Sequence, residues 1–237
     1  MQENKLYMMI NGHEIWLESL GIGDGNVELS LVFGHNMQQD GVGDISRFVP
    51  HVFLPDGSKG EASLKPGERH HFMKFNAPKD GYYTAYVDMG TAIWSQTKEG
   101  YSEGPKFKFK DVIYAGAYHQ MAKTIVAVGN AGSYSSRPMH GILEIVPKEP
   151  FCRVGKDAEL TVLYEDRPLK SADIKAVSKK QGKEMASAKT DEMGMAKIPI
   201  TSDGEWMFLA RHVDQTKKVC EEFDESVFVN TLVMVAR

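Results

Sequence analysis

Eight histidines are spread along the 237 residues of the chain. Imidazole suits Ni(II), Co(II), Cu(II) and Zn(II), and carboxylates or amines can complete a site. The conspicuous pair is His70-His71, in the alternating segment ERHHFMKF at 68–75. Successive side chains along a strand point to opposite faces, so neighbouring histidines do not chelate one ion together. Arg69, His71, Met73 and Phe75 form the face with the more apolar end, which predicts one half-buried and one solvated histidine. A bulge would be needed to give both a joint role. His13 opens a strand and shares a face with Ile15 and Leu17, opposite Glu14, Trp16 and Glu18. His35 leaves the strand VELSLVF (27–33) at a glycine, beside a long loop, where functional side chains concentrate. His51, in FVPHVFLP, is a further candidate. The candidate metal ligands are therefore His13, His35, His51, His70 and His71, with His35 and His13 favoured. His119, His140 and His212 read as ordinary polar residues. Thirteen methionines would suit Cu(I), but methionine is more often a core gap filler.

No other chemistry-bearing pattern is convincing. GYSEG (100–104) matches G-x-S-x-G around Ser102, yet it lies between apparent strands with Pro105 after it, whereas a nucleophile elbow needs a strand-to-helix turn. Glu165-Asp166 falls at a hairpin turn, where acidic residues are common. HExxH, the P-loop and the dinucleotide glycine fingerprint are all absent from the sequence. The expectation is a protein that is not an enzyme. Cys152 and Cys220 have no CxxC spacing; whether they pair is left open.

The elements that must position these residues are strands. Val27–Phe33, Tyr82–Val87, Phe107–Lys110, Glu159–Leu163 and Ala196–Ile200 alternate, bounded by Gly, Pro, Asp and Asn. Asp24-Gly25, Asp56-Gly57, Pro66-Gly67, Asp80-Gly81 and Asp203-Gly204 mark turns. Tyr118–Val128 has room for a turn or two of helix, but its β-branched second half favours strand. Long loops are expected at Gly34–Arg47 and Asn130–His140. Gly141–Pro147 reads as a strand that KEPF interrupts. The fold class is all-β: two consecutive immunoglobulin-like or transthyretin-like β-sandwich domains, residues 1–147 with the candidate ligands and residues 148–237.

With 42% hydrophobic and 25% charged residues, the composition is that of an ordinary globular chain. A formal net charge of −4 gives no electrostatic reason to expect nucleic acid as a partner. The longest apolar run, Val227–Ala236, fits one strand, so direct membrane insertion is not expected. MQENKLYMMINGHE lacks a leader pattern, so an exported chain is expected to have lost its leader.

Residues 159–176 (ELTVLYEDRPLKSADIKA), then KTDEMGMAKIPI and GEWMFLARH, resemble the transthyretin-like or Cna-B-like sandwich of extracytoplasmic proteins. Together with GHEIWLE at 12–18, FGHNM at 33–37, WSQTKEGYSEGPK at 94–106 and GILEIVPKEPF at 141–151, in that order, the chain resembles a family of periplasmic proteins. These are associated with nickel and cobalt uptake transporters and catalogued as a domain of unknown function. The resemblance implies a periplasmic or secreted protein that binds or delivers Ni(II) or Co(II). Its partner would be a membrane-embedded component of an energy-coupling-factor type transporter. The alternative is a non-catalytic tandem β-sandwich that binds a protein or carbohydrate, with Trp94, Tyr101, Tyr82 and Tyr83 as an aromatic platform.

Overall fold

The computed structural model describes residues 12–237. Nearly all its regular structure is strand. The first stretch runs β1 (Glu14–Gly23), β2 (Asn26–His35), β3 (Gln38–Gly41), β4 (Val49–Phe53), β5 (Lys59–Gly60) and β6 (Ala62–Lys65). It continues through β7 (His71–Asn76), β8 (Gly81–Thr97), β9 (Gly100–Glu103), β10 (Tyr114–Val128) and β11 (Leu143–Pro147). Then come β12 (Asp157–Tyr164), β13 (Arg167–Pro168), β14 (Asp173–Ser178), β15 (Lys183–Lys189), β16 (Met195–Pro199), β17 (Gly204–Asp214) and β18 (Glu225–Ala236).

Turn chemistry closes the hairpins that matter most. Asp24 and Gly25 both have positive φ, 51° and 71°, so a two-residue turn joins β1 to β2; primed turns of this kind match the twist of the strands they join. Glu165 and Asp166, at φ 50° and 62°, do the same between β12 and β13.

Among the described residues three sheets result, and the fold is an all-β sandwich. The first has the order β1-β2-β7-β6, with β3 on the end of β2. The second runs β15-β14-β17-β18-β10-β8-β4-β5, with β9 on β8. The third is β11-β12-β13, with β16 on β12. In the second sheet β10 and β18 pair in parallel, Gly116↔Glu225 through Thr124↔Val233, so one sheet carries strands from both ends of the chain.

Three cores follow. Ile15, Leu17, Leu29, Met73, Tyr83 and Val87 fill the first. Leu143, Ile145, Val162, Trp206, Phe208 and Leu232 belong to the second. The third joins Trp16 and Val32 of the first sheet and Met37 of the turn between β2 and β3 to Val177, Met207, Leu209 and Val229 of the second sheet. Strand β18 feeds two of them: Phe228 and Leu232 on one face, Val227, Val229 and Val233 on the other. That is why its sequence is apolar almost without alternation. Trp16 and Trp206 are both 0% exposed, and truncating either to alanine would cost about 3–5 kcal/mol.

A buried ion pair links the second sheet to the third. Lys123 Nζ of β10 donates to Glu144 Oε1 of β11 at 2.6 Å. The Met139 amide donates to both carboxylate oxygens of Glu144 at 2.9 Å. Burial pushes the Lys123 ammonium pKa down, against the pull of Glu144.

Two expectations are corrected. FKFK at 107–110 is not a strand: Lys106–Lys108 is a 3-10 turn closed by Lys108 N to Pro105 O and Phe109 N to Lys106 O, and Phe107 is 67% exposed. Nor is Gly34–Arg47 only a loop, since it contains β3 and a 3-10 turn at Ile45–Arg47 whose Asp44 side chain accepts from the Ser46 amide. Tyr118–Val128 is strand throughout, within β10, and Asn130–His140 has no regular structure.

Candidate metal centre

The antiparallel register of β1 and β2 places Glu14 opposite Gly34. His13, just before β1, and His35, at the end of β2, therefore meet across the strand pair, with ring centroids 4.6 Å apart. Phe33 stacks on the His13 ring at 4.4 Å and 22°, which sets its plane.

Strand β3 supplies a third group. Its pairing with β2 runs His35↔Gln38, Gly34↔Gln39, then Phe33↔Gly41, so Asp40 is the extra residue of a bulge. A bulged residue has no ladder partner and its side chain is re-aimed. Here it turns to the histidines: His13 Nε2 is 3.4 Å from Asp40 Oδ1, and His35 Nδ1 is 2.5 Å from Asp40 Oδ2. The close approach requires Gly34, because a Cβ there would sit 2.1 Å from the Gln38 carbonyl oxygen.

One ligand atom from each of His13, His35 and Asp40 lies within 4.8 Å of the other two. Bonds of about 2.0–2.2 Å at a tetrahedral angle separate two ligand atoms by roughly 3.3 Å, and the His13–Asp40 separation of 3.4 Å fits that span. The shorter His35–Asp40 contact is a hydrogen bond that has to open slightly for an ion to enter. His35 Nε2 is buried and has no hydrogen-bond partner among the described residues. Partial burial and the nearby His35 push His13 below the ordinary imidazole range, while Asp40 pulls the other way. Both effects that lower it favour the neutral ring a metal needs. Two imidazole nitrogens and one carboxylate oxygen, with His13 and Asp40 side chains 45% and 38% exposed, suit a divalent transition metal and leave coordination positions for water or a partner's donors.

Surrounding contacts hold β3 in place. The Asn36 amide donates to Glu14 Oε2 at 2.8 Å. Burial raises the Glu14 carboxyl above its usual range, and the Asn36 hydrogen bond opposes this. Gln38 Nε2 donates to the Gly182 carbonyl at 2.9 Å, tying the β2–β3 turn to the β14–β15 turn. Gln39 Nε2 donates to the Arg69 carbonyl, and the Gly43 carbonyl accepts from His71 Nε2 at 2.7 Å.

The structure thus brings together His13 and His35 and places the other sequence candidates elsewhere. His51 lies on β4 opposite Tyr86, with the two rings 6.0 Å apart, in the second sheet. His71 is 5% exposed among the alternately buried residues of β7, and its ring braces Gly43. His70 precedes that strand, half-buried against Phe72 at 4.8 Å. His119 contacts Asp88 and Thr91, both at 3.0 Å. Asp40 was missed by sequence reasoning. Its signal was Asn36, a good residue for a tight turn, which would have folded an acidic residue back beside His35.

The remaining features also find their places. Tyr83 is fully buried and Tyr82 packs on Tyr134, at the opposite end of β8 from Trp94, so these four aromatics do not form one platform. Ser102 lies in the β8–β9 hairpin opposite Ser95, without the strand-to-helix turn of an elbow. Cys152 is buried, Cys220 is exposed, and both are free thiols.

An all-β sandwich with a surface His-His-Asp group at the end of one strand pair is the class this geometry defines. The chain belongs to the family described as Domain of unknown function (DUF4198), whose model matches residues 10–214. No curated protein matches the sequence at a significant level. Among solved structures, it is similar to the D0-D1 domain of intimin at 12% identity and TM-score 0.23, covering 93% of this chain and 97% of that one. It is also similar to native alpha-2-macroglobulin from Escherichia coli spanning domains MG0-NIE-MG1, at 8% identity and TM-score 0.23, covering 93% and 98%. The BSP domain of a biofilm associated protein matches at 10% identity and TM-score 0.24, covering 94% of this chain and 29% of that one.

Proposed function

We propose that this protein is an extracytoplasmic, non-enzymatic carrier of a divalent transition metal, Ni(II) or Co(II), held by His13, His35 and Asp40. In this reading it passes the ion to a membrane-embedded component of an uptake transporter. The observation that carries the reading is the convergence of three ligand atoms of suitable chemistry, each within 4.8 Å of the others. The half-exposed rim supports delivery in particular: an ion with open positions can exchange ligands with a partner, whereas a closed four-ligand site holds its metal structurally. The choice of nickel or cobalt draws on the resemblance of the ordered motifs and not on the geometry, since two imidazoles and a carboxylate serve several metals.

Equilibrium dialysis of metal-free protein against equal nickel, cobalt, zinc and copper, followed by elemental measurement, tests the reading. One equivalent of bound nickel or cobalt is expected, and its loss in Asp40→Ala. Protein that retains no metal, or retains as much with Asp40→Ala, contradicts it.

A further inference from the structure

We infer that Glu14 is the positioning residue of the His13–His35–Asp40 centre: its carboxylate takes the Asn36 amide and so fixes the turn that carries Asp40 back to the two imidazoles. The inference rests on the metal reading of that centre.

Three observations support it. First, the turn between β2 and β3 is left-handed at two residues that are not glycine, Asn36 at φ 51° and Met37 at φ 59°. For methionine this conformation is strained and persists only where the surroundings impose it. Met37 is held through its side chain, 6% exposed in the third core. Gln38 is held through Gly182. The Asn36 backbone is held by Glu14 Oε2 at 2.8 Å.

Second, Glu14 is the chain neighbour of His13 and pairs with Gly34, the neighbour of His35. A single residue therefore ties together the backbone of one ligand, the strand carrying the second, and the turn leading to the third. Third, Asp40 sits on a bulge with no ladder partner of its own. Its reach to the histidines depends on where the turn starts β3. Glu14 is outside the group of converging ligand atoms, so its assigned role is to position them and not to bind the metal.

The test separates reach from charge. Glu14→Gln keeps an oxygen acceptor at the same length and loses the charge; Glu14→Asp keeps the charge and falls short of the Asn36 amide. Cobalt(II) titration followed by visible absorption is the readout, because the ligand-field bands report coordination geometry and not stability. Expected is a loss of cobalt affinity of about 10–100-fold in Glu14→Asp and Glu14→Ala, the scale of residues that orient metal ligands. Their bands should shift as well, while Glu14→Gln keeps the wild-type affinity and spectrum. If Glu14→Ala does not fold, Glu14→Asp alone is read against Glu14→Gln. Wild-type behaviour in Glu14→Asp overturns the inference. So does equal damage in Glu14→Gln, which would make the carboxylate charge the active feature. A wild-type protein that binds no cobalt overturns the metal reading itself, and the inference with it.

Discussion

At the end of the first strand pair two imidazoles and a carboxylate meet with the His13 and Asp40 side chains 45% and 38% exposed. Between the second and third sheets Lys123 and Glu144 meet with their side chains only 2% and 1% exposed. The two clusters differ in what is left over. Both oxygens of Glu144 are consumed, by the Lys123 ammonium and the Met139 amide. In the histidine cluster the His35 Nε2 has no partner among the described residues and Asp40 faces solvent. Buried charges survive only where their partners satisfy them. A ligand site is the reverse, a place where donors converge without fully satisfying one another. This difference supports the proposal that the half-exposed cluster binds metal while the buried one serves the fold.

Substitutions in either cluster separate the two roles. The largest effect is expected from Glu144→Ala, which strands a buried ammonium and should cost about 3–5 kcal/mol of stability by urea denaturation. Replacing Lys123 and Glu144 together with apolar residues of similar volume should cost less. Metal affinity should not change in the folded double variant; if it does, the two clusters are not independent. Next is His35→Ala, expected to weaken nickel or cobalt binding at least ~100-fold, about 2.8 kcal/mol. Its unfolding midpoint should move little.

His71→Ala and His70→Ala sharpen the division within the histidines. Losing the bond to the Gly43 carbonyl should cost about 1–2 kcal/mol in His71→Ala, whereas His70→Ala should cost about 0.5 kcal/mol or less. Both are read by denaturation, and His70→Ala should bind metal as wild type does.

The smallest effect concerns acid. The Asp214 carboxyl is held down at about 2 by hydrogen bonds from the Thr216 hydroxyl, the Tyr164 hydroxyl and the Thr216 and Lys217 amides, against the opposing effect of desolvation. Because its folded pKa lies below the ordinary 3.8, its stabilisation is present above that value. It is lost as pH falls towards about 2. Asp214→Asn should flatten the acid limb of the stability curve in that window and leave metal binding at neutral pH untouched.

Much of this architecture was legible from periodicity. VELSLVF, YYTAYV and ELTVL are strands because alternation and flanking turn residues agree, and Asp24-Gly25 makes the turn its chemistry prescribes. His13 and His35 were readable as strand-end residues. Their meeting was not, since it depends on the register of β1 against β2, a pairing between segments. Asp40 was hidden for a further reason: a bulge resets the period-two pattern, so face assignment fails at that residue. The parallel pairing of β10 with β18 joins residues more than a hundred positions apart and leaves no local trace. FKFK misled because four alternating residues also suit a turn, and Pro105 before it was the contrary signal. The His70-His71 doublet was half-readable: face alternation separated the two rings, but only the fold shows His71 acting as a brace for the loop after β3.

Whether His13, His35 and Asp40 hold a metal is decided by titration calorimetry of Ni(II) and Co(II) into metal-free protein, with wild type run beside His13→Ala, His35→Ala, Asp40→Ala and His51→Ala. One ion per chain should bind to wild type and to His51→Ala with the same heat, and each of the other three should lose that binding. No heat in wild type, or undiminished binding in His35→Ala and Asp40→Ala, would contradict the account.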